Sequence, residues 1–157
     1  MIKVKIIAVG KIKEKYFQDA VLEYSKRLSR FCDLSIVEIK EENFVTTPNE
    51  SERILIKERE GAKILKEIKG TAVALAIEGK KYSSENFAKL LEKIKDTSGE
   101  VCFIIGGSYG IADSVKQSAE YKLSASDMTF PHTLFRVMLL EQIYRGFMIL
   151  QGSEYHK

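Results

Sequence analysis

Two short runs of apolar residues constrain most strongly how this chain can fold. The runs at 71–77 and 100–105 are rich in valine, isoleucine and alanine, and polar residues do not alternate along them. Strands that read this way are usually buried on both faces of a parallel sheet. Other β-branched runs occur at 2–9 and 34–39, and segments with helical spacing separate all four. This order predicts an α/β fold with a mainly parallel sheet flanked by helices on both faces.

The helices are predicted from apolar residues that recur every three or four positions. They are expected at 15–29, at 50–69, after Ser83 or Ser84, near 114–120 and at 131–150, with a short strand near Leu123. Gly70 is predicted to end the second helix from the C′ position. Pro131 is predicted to occupy the first turn of the last helix. Neither an internal repeat nor a long linker divides the chain, so residues 1–157 are expected to form a single domain.

The last predicted helix is apolar nearly all the way round. Between Leu134 and Leu150, apolar side chains fall on every side of the helical projection. Such a helix must be buried on more than one side. A second copy of the chain is the favoured cover, which predicts a homodimer. A helix buried at the centre of the domain is the alternative.

Composition narrows the class of protein without identifying it. The 157 residues carry a net charge of +3 and are 45% hydrophobic, which is ordinary for a globular protein. No apolar run reaches the roughly 18 residues that cross a bilayer. The alternating first residues read as a strand and not as a signal peptide, so a cytoplasmic location is expected. The weak positive charge permits an RNA partner without requiring one.

Cysteines and histidines are few and scattered. Cys32 and Cys102 do not make a disulfide framework. His132 and His156 have no partner at the spacing of metal ligands. No metal site is therefore expected.

Three stretches join the end of a strand to small residues. Residues 103–110 run from an apolar strand into Gly106, Gly107 and Gly110, residues 75–79 also run into a glycine, and residues 123–132 join small and hydroxyl residues to the last helix. Ligands of open α/β sheets bind at the carboxyl ends of strands, and glycine lets the backbone approach a ligand closely. Neither a phosphate-binding loop nor a full dinucleotide fingerprint is present. Taken singly, each stretch could equally be an ordinary tight connection.

The chain ends with an aromatic side chain, an imidazole and a cation, at Tyr155, His156 and Lys157. A disordered tail is the usual expectation for a C-terminus. Beside a nucleic acid, these side chains could stack on a base, exchange a proton and contact phosphate. The residues alone leave both possibilities open.

Several segments match one family in the same order along the chain. They are Val9-Gly10-Lys11, the run from Ile105 to Gly110, the run from Met128 to His132, the run from Arg136 to Arg145, and Tyr155-His156-Lys157. Together they resemble the ribosomal RNA large-subunit methyltransferase H family (RlmH) of the SPOUT superfamily, over essentially the whole chain. The resemblance implies a SPOUT-type α/β-knot with a deep trefoil knot in the C-terminal half, a rare exception among folds. It also implies a homodimer.

The same resemblance implies a cofactor and a substrate. S-adenosyl-L-methionine would bind in the knot, with S-adenosyl-L-homocysteine as the product. The family's cofactor contacts fall on Leu75, Gly106, Ala125, Ser126, Asp127, Met128, Thr129 and Phe130. The implied substrate is 23S ribosomal RNA, methylated at N3 of a pseudouridine in a stem-loop of the assembled ribosome.

Roles on the substrate side are hypotheses from chemistry. N3 of pseudouridine is an imide N–H and a poor nucleophile, so a proton acceptor or a group that stabilises the imidate would help. The candidate catalytic residues are His156, Tyr155 and Arg136. The candidate RNA contacts are Arg136, Arg145, Tyr155, His156 and Lys157. Water is the alternative proton acceptor, and whether the tail serves its own subunit or the other one stays open.

Two other functions remain as alternatives. A non-catalytic RNA- or ribosome-binding module with a knotted fold would leave the glycine turn and residues 125–130 unexplained. A small nucleotide-binding phosphoryl-transfer enzyme would need a phosphate loop and an acidic pair for magnesium, and the sequence contains neither.

Overall fold

Five strands form one parallel sheet in the computed structural model, which describes residues 1–157. The strands are β1 (Ile2–Val9), β2 (Cys32–Ile39), β3 (Thr71–Lys81), β4 (Glu100–Ile105) and β5 (Tyr121–Ser124). Their order in the sheet is β2-β1-β4-β3-β5, and each neighbouring pair is parallel. The helices are α1 (Lys15–Leu28), α2 (Glu50–Glu67), α3 (Ser84–Thr97), α4 (Asp113–Ser118) and α5 (His132–Leu150). The predicted α/β class is confirmed, and the strand order is consistent with the knot that the resemblance implies.

Strand β4 shows why the central runs are apolar without alternation. Val101, Phe103 and Ile105 face a core shared with α1, α3 and α5. Cys102 and Ile104 face a second core, shared with α2 and α4. All five side chains are at most 4% exposed. Because helices cover both faces of the strand, both sets of side chains must be apolar.

Local capping signals set the beginnings of two helices. Asn49 and Glu52 form a capping box in which each side chain accepts the other's backbone N–H, so α2 starts at the predicted residue. Ser83, and not Ser84, caps α3 through a hydrogen bond from the Asn86 backbone N–H to its Oγ. Pro131 is the N-cap of α5 and so precedes the first turn in which it was predicted.

Gly70 does not cap α2, which corrects the prediction. The helix ends at Glu67 because Ile68 already has an extended backbone. Gly70 has a φ of +70° and leads into β3. An added Cβ there would lie 2.4 Å from the carbonyl oxygen of Glu100. The glycine is therefore needed for close packing between two backbones, and not to end a helix.

Strand β3 continues past the glycine at which it was predicted to end. It runs on to Lys81, and its register with β5 shifts between Leu75 and Lys80, where both pair with Leu123. An added Cβ on Gly79 would lie 2.6 Å from the carbonyl carbon of Lys122. The predicted turn at 78–79 is therefore a bulge inside the strand. Such bulges often lie beside functional sites.

Helix α5 packs on the sheet and contacts both α1 and α3. Leu140 and Ile143 are fully buried, and an added Cβ on Gly146 would lie 2.7 Å from Leu91 of α3. Burial inside one chain thus accounts for part of its all-round apolar character. Partly buried side chains such as Phe135 remain at its margin, and the homodimer stays a prediction. None of the five helices has the length and apolar content needed to cross a membrane.

The burial of Leu140 predicts a large loss of stability on truncation. Leu140→Ala should lower the free energy of unfolding by about 2–5 kcal/mol, because the residue is fully buried and a cavity would remain. Leu65→Ala on α2 is the control, since Leu65 is 40% exposed, and it should cost less than about 1 kcal/mol. Urea unfolding measures both. Equal effects in the two variants would contradict the packing described for α5.

Candidate active site

A cavity of about 380 Å³ lies at the carboxyl ends of β3, β4 and β5. It is lined by residues 75–78, 105–111, 123–126 and 128–130, together with Lys116, His132 and Phe135. Its position is the usual ligand site of an open α/β sheet, and its volume is within the range of small-molecule pockets. The three stretches that the sequence analysis singled out therefore meet at one place.

The glycine turn that follows β4 forms one wall of this cavity. The backbone N–H of Gly110 donates to the carbonyl of Gly107 at 3.1 Å and closes the turn. Gly110 has a φ of +89°, which favours glycine. An added Cβ on Gly106 would lie 2.6 Å from the Gly110 carbonyl carbon and 2.8 Å from the Ile111 side chain. Bare backbone therefore lines the cavity at Gly106, and no side chain fits there.

The loop after β5 forms the opposite wall and is ordered by its own hydroxyl groups. Ser124 Oγ donates to the carbonyl of Ser126, and Ser126 Oγ accepts the backbone N–H of Met128, both at 3.0 Å. All the predicted cofactor contacts line the cavity except Asp127. The Asp127 carboxylate is paired instead with Lys81 of β3. This ion pair joins the loop to the strand beyond the bulge.

One ion pair lies in the wall of the cavity. Lys116 Nζ donates to the carboxylate of Glu78, and this hydrogen bond holds the pKa of Glu78 below its usual range. Glu78 is therefore ionised at neutral pH. His132 also lines the cavity, and its Nε2 lies 3.7 Å from Oε1 of Glu41, too far for a hydrogen bond.

Arg136 lies next to this region but inside the protein. Its side chain is 3% exposed. Nη1 donates to Oε2 of Glu38 at 2.7 Å, and Nη2 donates to the carbonyl of Gly10 at 3.1 Å. It does not line the cavity. As placed, Arg136 joins α5 to the ends of β1 and β2.

Arg145, Tyr155 and His156, three of the other predicted substrate residues, form a cluster where the tail folds back on α5 and α3. Glu141 accepts from Arg145 Nε at 2.7 Å and from the Tyr155 hydroxyl at 2.6 Å. His156 Nδ1 lies 3.1 Å from Arg145 Nη1, and its Nε2 lies 2.7 Å from Glu85 Oε1. Because a guanidinium only donates, Nδ1 accepts and Nε2–H donates to Glu85, which is the neutral tautomer. The tail is therefore docked, while Lys157 is exposed.

Charge in this cluster shifts several pKa values. The hydrogen bond to Glu141 raises the pKa of Tyr155 to about 12, so the phenol stays protonated at neutral pH. The same carboxylate raises the pKa of Arg145. The hydrogen bond from His156 lowers the pKa of Glu85. Glu85 is thus held as a carboxylate.

The cavity and the tail cluster are separate within one chain. None of Arg145, Tyr155 and His156 lines the cavity. A second cavity of about 240 Å³ lies between the two regions, and it shares Leu75 and Phe135 with the first while also touching Ser84 and Gln142. The structure thus brings the predicted cofactor contacts together and the tail contacts together, but not the two sets.

Sequence reasoning missed the charged members of the cavity wall. Lys116 lies on the short helix α4, and no local pattern distinguishes it from the other lysines of the chain. Glu78 lay in a stretch that had been singled out for its glycine, so its carboxylate was a signal that could have been used. His132 was noted within the loop motif but was not assigned a place in the site. Only the folded sheet brings these three side chains to one cavity.

Comparisons with known proteins agree with this geometry. Residues 2–156 match the family model described as "Predicted SPOUT methyltransferase". Proteins named ribosomal RNA large subunit methyltransferase H from Clostridium beijerinckii and Clostridium kluyveri are 53% and 52% identical, and each alignment covers 98% of this chain and 99% of the relative. A solved Legionella pneumophila structure, described as a methyltransferase with bound S-adenosylmethionine, has a TM-score of 0.50 at 12% identity. The match covers 93% of this chain and 66% of the Legionella chain, and it shows similarity of fold alone.

The parallel sheet, with a glycine turn and a small-residue loop at its carboxyl edge, is consistent with the class of α/β-knot proteins. The chain belongs to the SPOUT methyltransferase family and, within it, to the group named large subunit methyltransferase H.

The contact between His156 and Glu85 predicts a measurable pKa. In the wild-type protein Glu85 should titrate below its usual range, and His156→Ala should raise the pKa of Glu85 toward that range because the main hydrogen-bond donor is lost. Carboxylate NMR across acidic pH measures this. Lys157→Ala is the control and should leave the Glu85 pKa unchanged, since no hydrogen bond joins Lys157 to that carboxylate. An unchanged pKa in His156→Ala would mean that the tail is not docked on α3 in solution.

Proposed function

We propose that this chain transfers a methyl group from S-adenosylmethionine to N3 of a pseudouridine in a stem-loop of 23S ribosomal RNA, within the assembled ribosome and as a homodimer. The observation that carries the proposal is the meeting of Leu75, Gly106 and the loop after β5 at one cavity. These are the positions that match the family's cofactor contacts. Curated relatives with more than half of their residues identical bear the name of a ribosomal RNA methyltransferase.

The residues of the cavity fit S-adenosylmethionine. Leu75, Leu123 and Phe135 provide apolar surface for the adenine, and the bare backbone at Gly106 provides close polar contacts. Glu78 and Lys116 provide a carboxylate and an ammonium, which match the amino and carboxylate groups of the methionine portion. When bound, the cofactor supplies a methyl group on a sulfonium that is already activated for displacement. The chain's main task is therefore to position the acceptor nitrogen, which alone can contribute several kcal/mol.

The tail supplies the groups that can act on the acceptor base. His156 has an imidazole, which in its neutral form has a ring nitrogen that can take the imide proton. Both of its ring nitrogens are engaged, by Arg145 and Glu85, so it must exchange a partner when RNA binds. Tyr155 can stack on the base, and Arg145 and Lys157 can stabilise negative charge on the imidate or on phosphate. Arg136 acts as a positioning residue in this scheme because it is buried.

A homodimer would resolve the separation between the cavity and the tail. The tail cluster of one subunit would complete the cavity of the other. Two features support this arrangement: the tail of a chain does not line its own cavity, and exposed apolar side chains lie in the loop after β5, with Met128 73% exposed. An isologous interface would build two such composite sites.

Cofactor binding tests the site. The wild-type protein should bind S-adenosylmethionine saturably in calorimetric titration, and Gly106→Val should weaken binding by more than about tenfold, or about 1.4 kcal/mol, because its Cβ meets main chain that cannot rotate away.

Gly99→Ala is the matched control for this titration. It precedes β4 at the end away from the cavity, where an added Cβ meets only the Lys95 carbonyl oxygen, at 3.9 Å. The φ of +69° means that alanine costs roughly 1–2 kcal/mol of stability there, but the cofactor affinity of the folded variant should match the wild type. Unchanged affinity in Gly106→Val would refute the placement. If the wild-type protein binds no cofactor and leaves unmodified ribosomes unmethylated, the non-catalytic binding module becomes the better explanation.

Complementation tests whether the tail acts across the dimer. Gly106→Val lacks a cofactor site, and His156→Ala lacks the imidazole, so each alone should methylate unmodified ribosomes poorly. Co-expressed, they should recover roughly a quarter of wild-type activity, since about half of randomly paired dimers are mixed and each of these has one complete site. Methyl incorporation from labelled cofactor measures this. No recovery in purified mixed dimers would place the tail in its own subunit's site.

A further inference from the structure

An exposed tyrosine at the mouth of the cavity is stacked with an arginine. Tyr109 lines the cavity from the tip of the glycine turn and is 38% exposed. The guanidinium carbon of Arg53, on α2, lies 5.4 Å from the centre of the Tyr109 ring. This is a cation–π geometry. Neither residue belongs to the cofactor contacts or to the tail cluster.

The glycine turn presents Tyr109 rigidly. Gly107 and Gly110 pair as an antiparallel bridge on either side of Ser108 and Tyr109. Val9 packs under the turn, where an added Cβ on Gly107 would lie 2.9 Å from its side chain. An aromatic ring on a fixed turn loses little conformational freedom when it stacks on a ligand. Such rigidity favours binding.

The arginine beside the ring makes no ion pair. Arg53 is exposed and makes no ion pair, and Lys57, one turn further along α2, makes none either. By contrast, the lysine in the cavity wall, Lys116, is paired with Glu78. An aromatic ring with free cations beside it is the combination that binds a nucleic-acid base together with its phosphate.

We propose that Tyr109 and Arg53 form a stacking platform for an unpaired base of the RNA, next to the nucleotide that enters the cavity. This inference rests on the proposed function. Tyr109 would stack on the base, and Arg53 would hold the ring and contact the adjoining phosphate. Stacking of this kind depends little on base identity. The platform would therefore hold the strand in place without selecting its sequence.

The adenine of the cofactor is the other flat heterocycle that could stack on Tyr109. The RNA base is favoured because the ring is at the exposed tip of the turn, whereas Gly106, the proposed cofactor contact, lies at the base of the turn. Free cations are also expected at a phosphate backbone, and the adenine ring carries no negative charge. If an RNA base stacks on Tyr109, substitution of the ring should weaken ribosome binding. If the adenine stacks there, substitution should weaken cofactor binding, so one set of variants separates the two.

The experiment compares Tyr109→Ala, Tyr109→Phe and Arg53→Ala with the wild-type protein. Three constants are measured for each: the KM for unmodified ribosomes, the Kd for ribosomes by cosedimentation, and the Kd for S-adenosylmethionine by calorimetry. Arg30→Ala is the matched control, because Arg30 is also exposed and lies 5.4 Å from the Phe31 ring, at the opposite edge of the sheet.

Tyr109→Ala should raise both ribosome constants by about five- to a hundredfold, the loss expected from one stacked base. Its cofactor Kd should stay within about twofold of the wild-type value, which also shows that the variant is folded. Tyr109→Phe and Arg30→Ala should both have the ribosome constants of the wild type. Arg53→Ala should have ribosome constants between those of the wild type and those of Tyr109→Ala.

Unchanged ribosome constants in Tyr109→Ala would overturn the inference. So would a loss of cofactor affinity as large as the loss for ribosomes, because the ring would then serve the adenine. Cosedimentation measures ribosome binding without methyl transfer. A failure of the proposed function can therefore be distinguished from a failure of this inference. If the wild-type protein binds ribosomes in a Tyr109-dependent way and methylates nothing, the platform stands and the proposed function is wrong.

Discussion

The buried guanidinium of Arg136 is the interaction on which the candidate site most depends. It donates to Glu38 just before the end of β2 and to the Gly10 carbonyl just after β1, while its own backbone belongs to the second turn of α5. These contacts fix where α5 meets the carboxyl edge of the sheet. The loop from Ala125 to Pro131 must then cross the cavity. Removing either partner would leave a charge without compensation, but at a cost below the roughly 3–5 kcal/mol of a fully buried pair, because the Glu38 side chain is 38% exposed.

The strand order explains why a cavity forms at this edge. Strand β5 pairs with β3 although β4 and α4 lie between them in the chain, so the turn after β4 and the loop after β5 emerge on either side of β3. The bulge between Leu75 and Lys80 changes the course of β3 at this point. Glycine at position 106 then leaves room where a Cβ would touch main chain. Topology, bulge and glycine together create the cavity.

Features encoded by local sequence were predictable. β1 and β4 have the predicted bounds, because burial on both faces leaves an unambiguous apolar run. The capping box at Asn49 marks the start of α2 as expected. Gly70 was misjudged because its role depends on the backbone of Glu100, thirty residues away in sequence, which no local pattern reveals. The bulge in β3 escaped prediction for the same reason, since it depends on pairing with β5.

The candidate site also has features that local sequence predicts and features that it does not. The glycine turn and the loop after β5 were found because small residues at strand ends are a local signal. The ion pair between Glu78 and Lys116 and the docking of His156 on Glu85 were not found, because each joins distant segments. Burial of Arg136 also could not be foreseen, since an arginine on an apolar helix reads equally as a buried or a surface cation.

Charge pairing leaves this weakly basic protein with few free cations for binding RNA. Most cations around the cavity and the tail already hold a carboxylate, as in Arg136–Glu38, Lys116–Glu78, Lys81–Asp127 and Arg145–Glu141. Few are free to neutralise phosphate, so counterion release can supply only part of the affinity for RNA. The remainder must come from stacking and from shape. Under the proposed function, such a site would select the assembled ribosome, because free RNA would offer the charge without the shape.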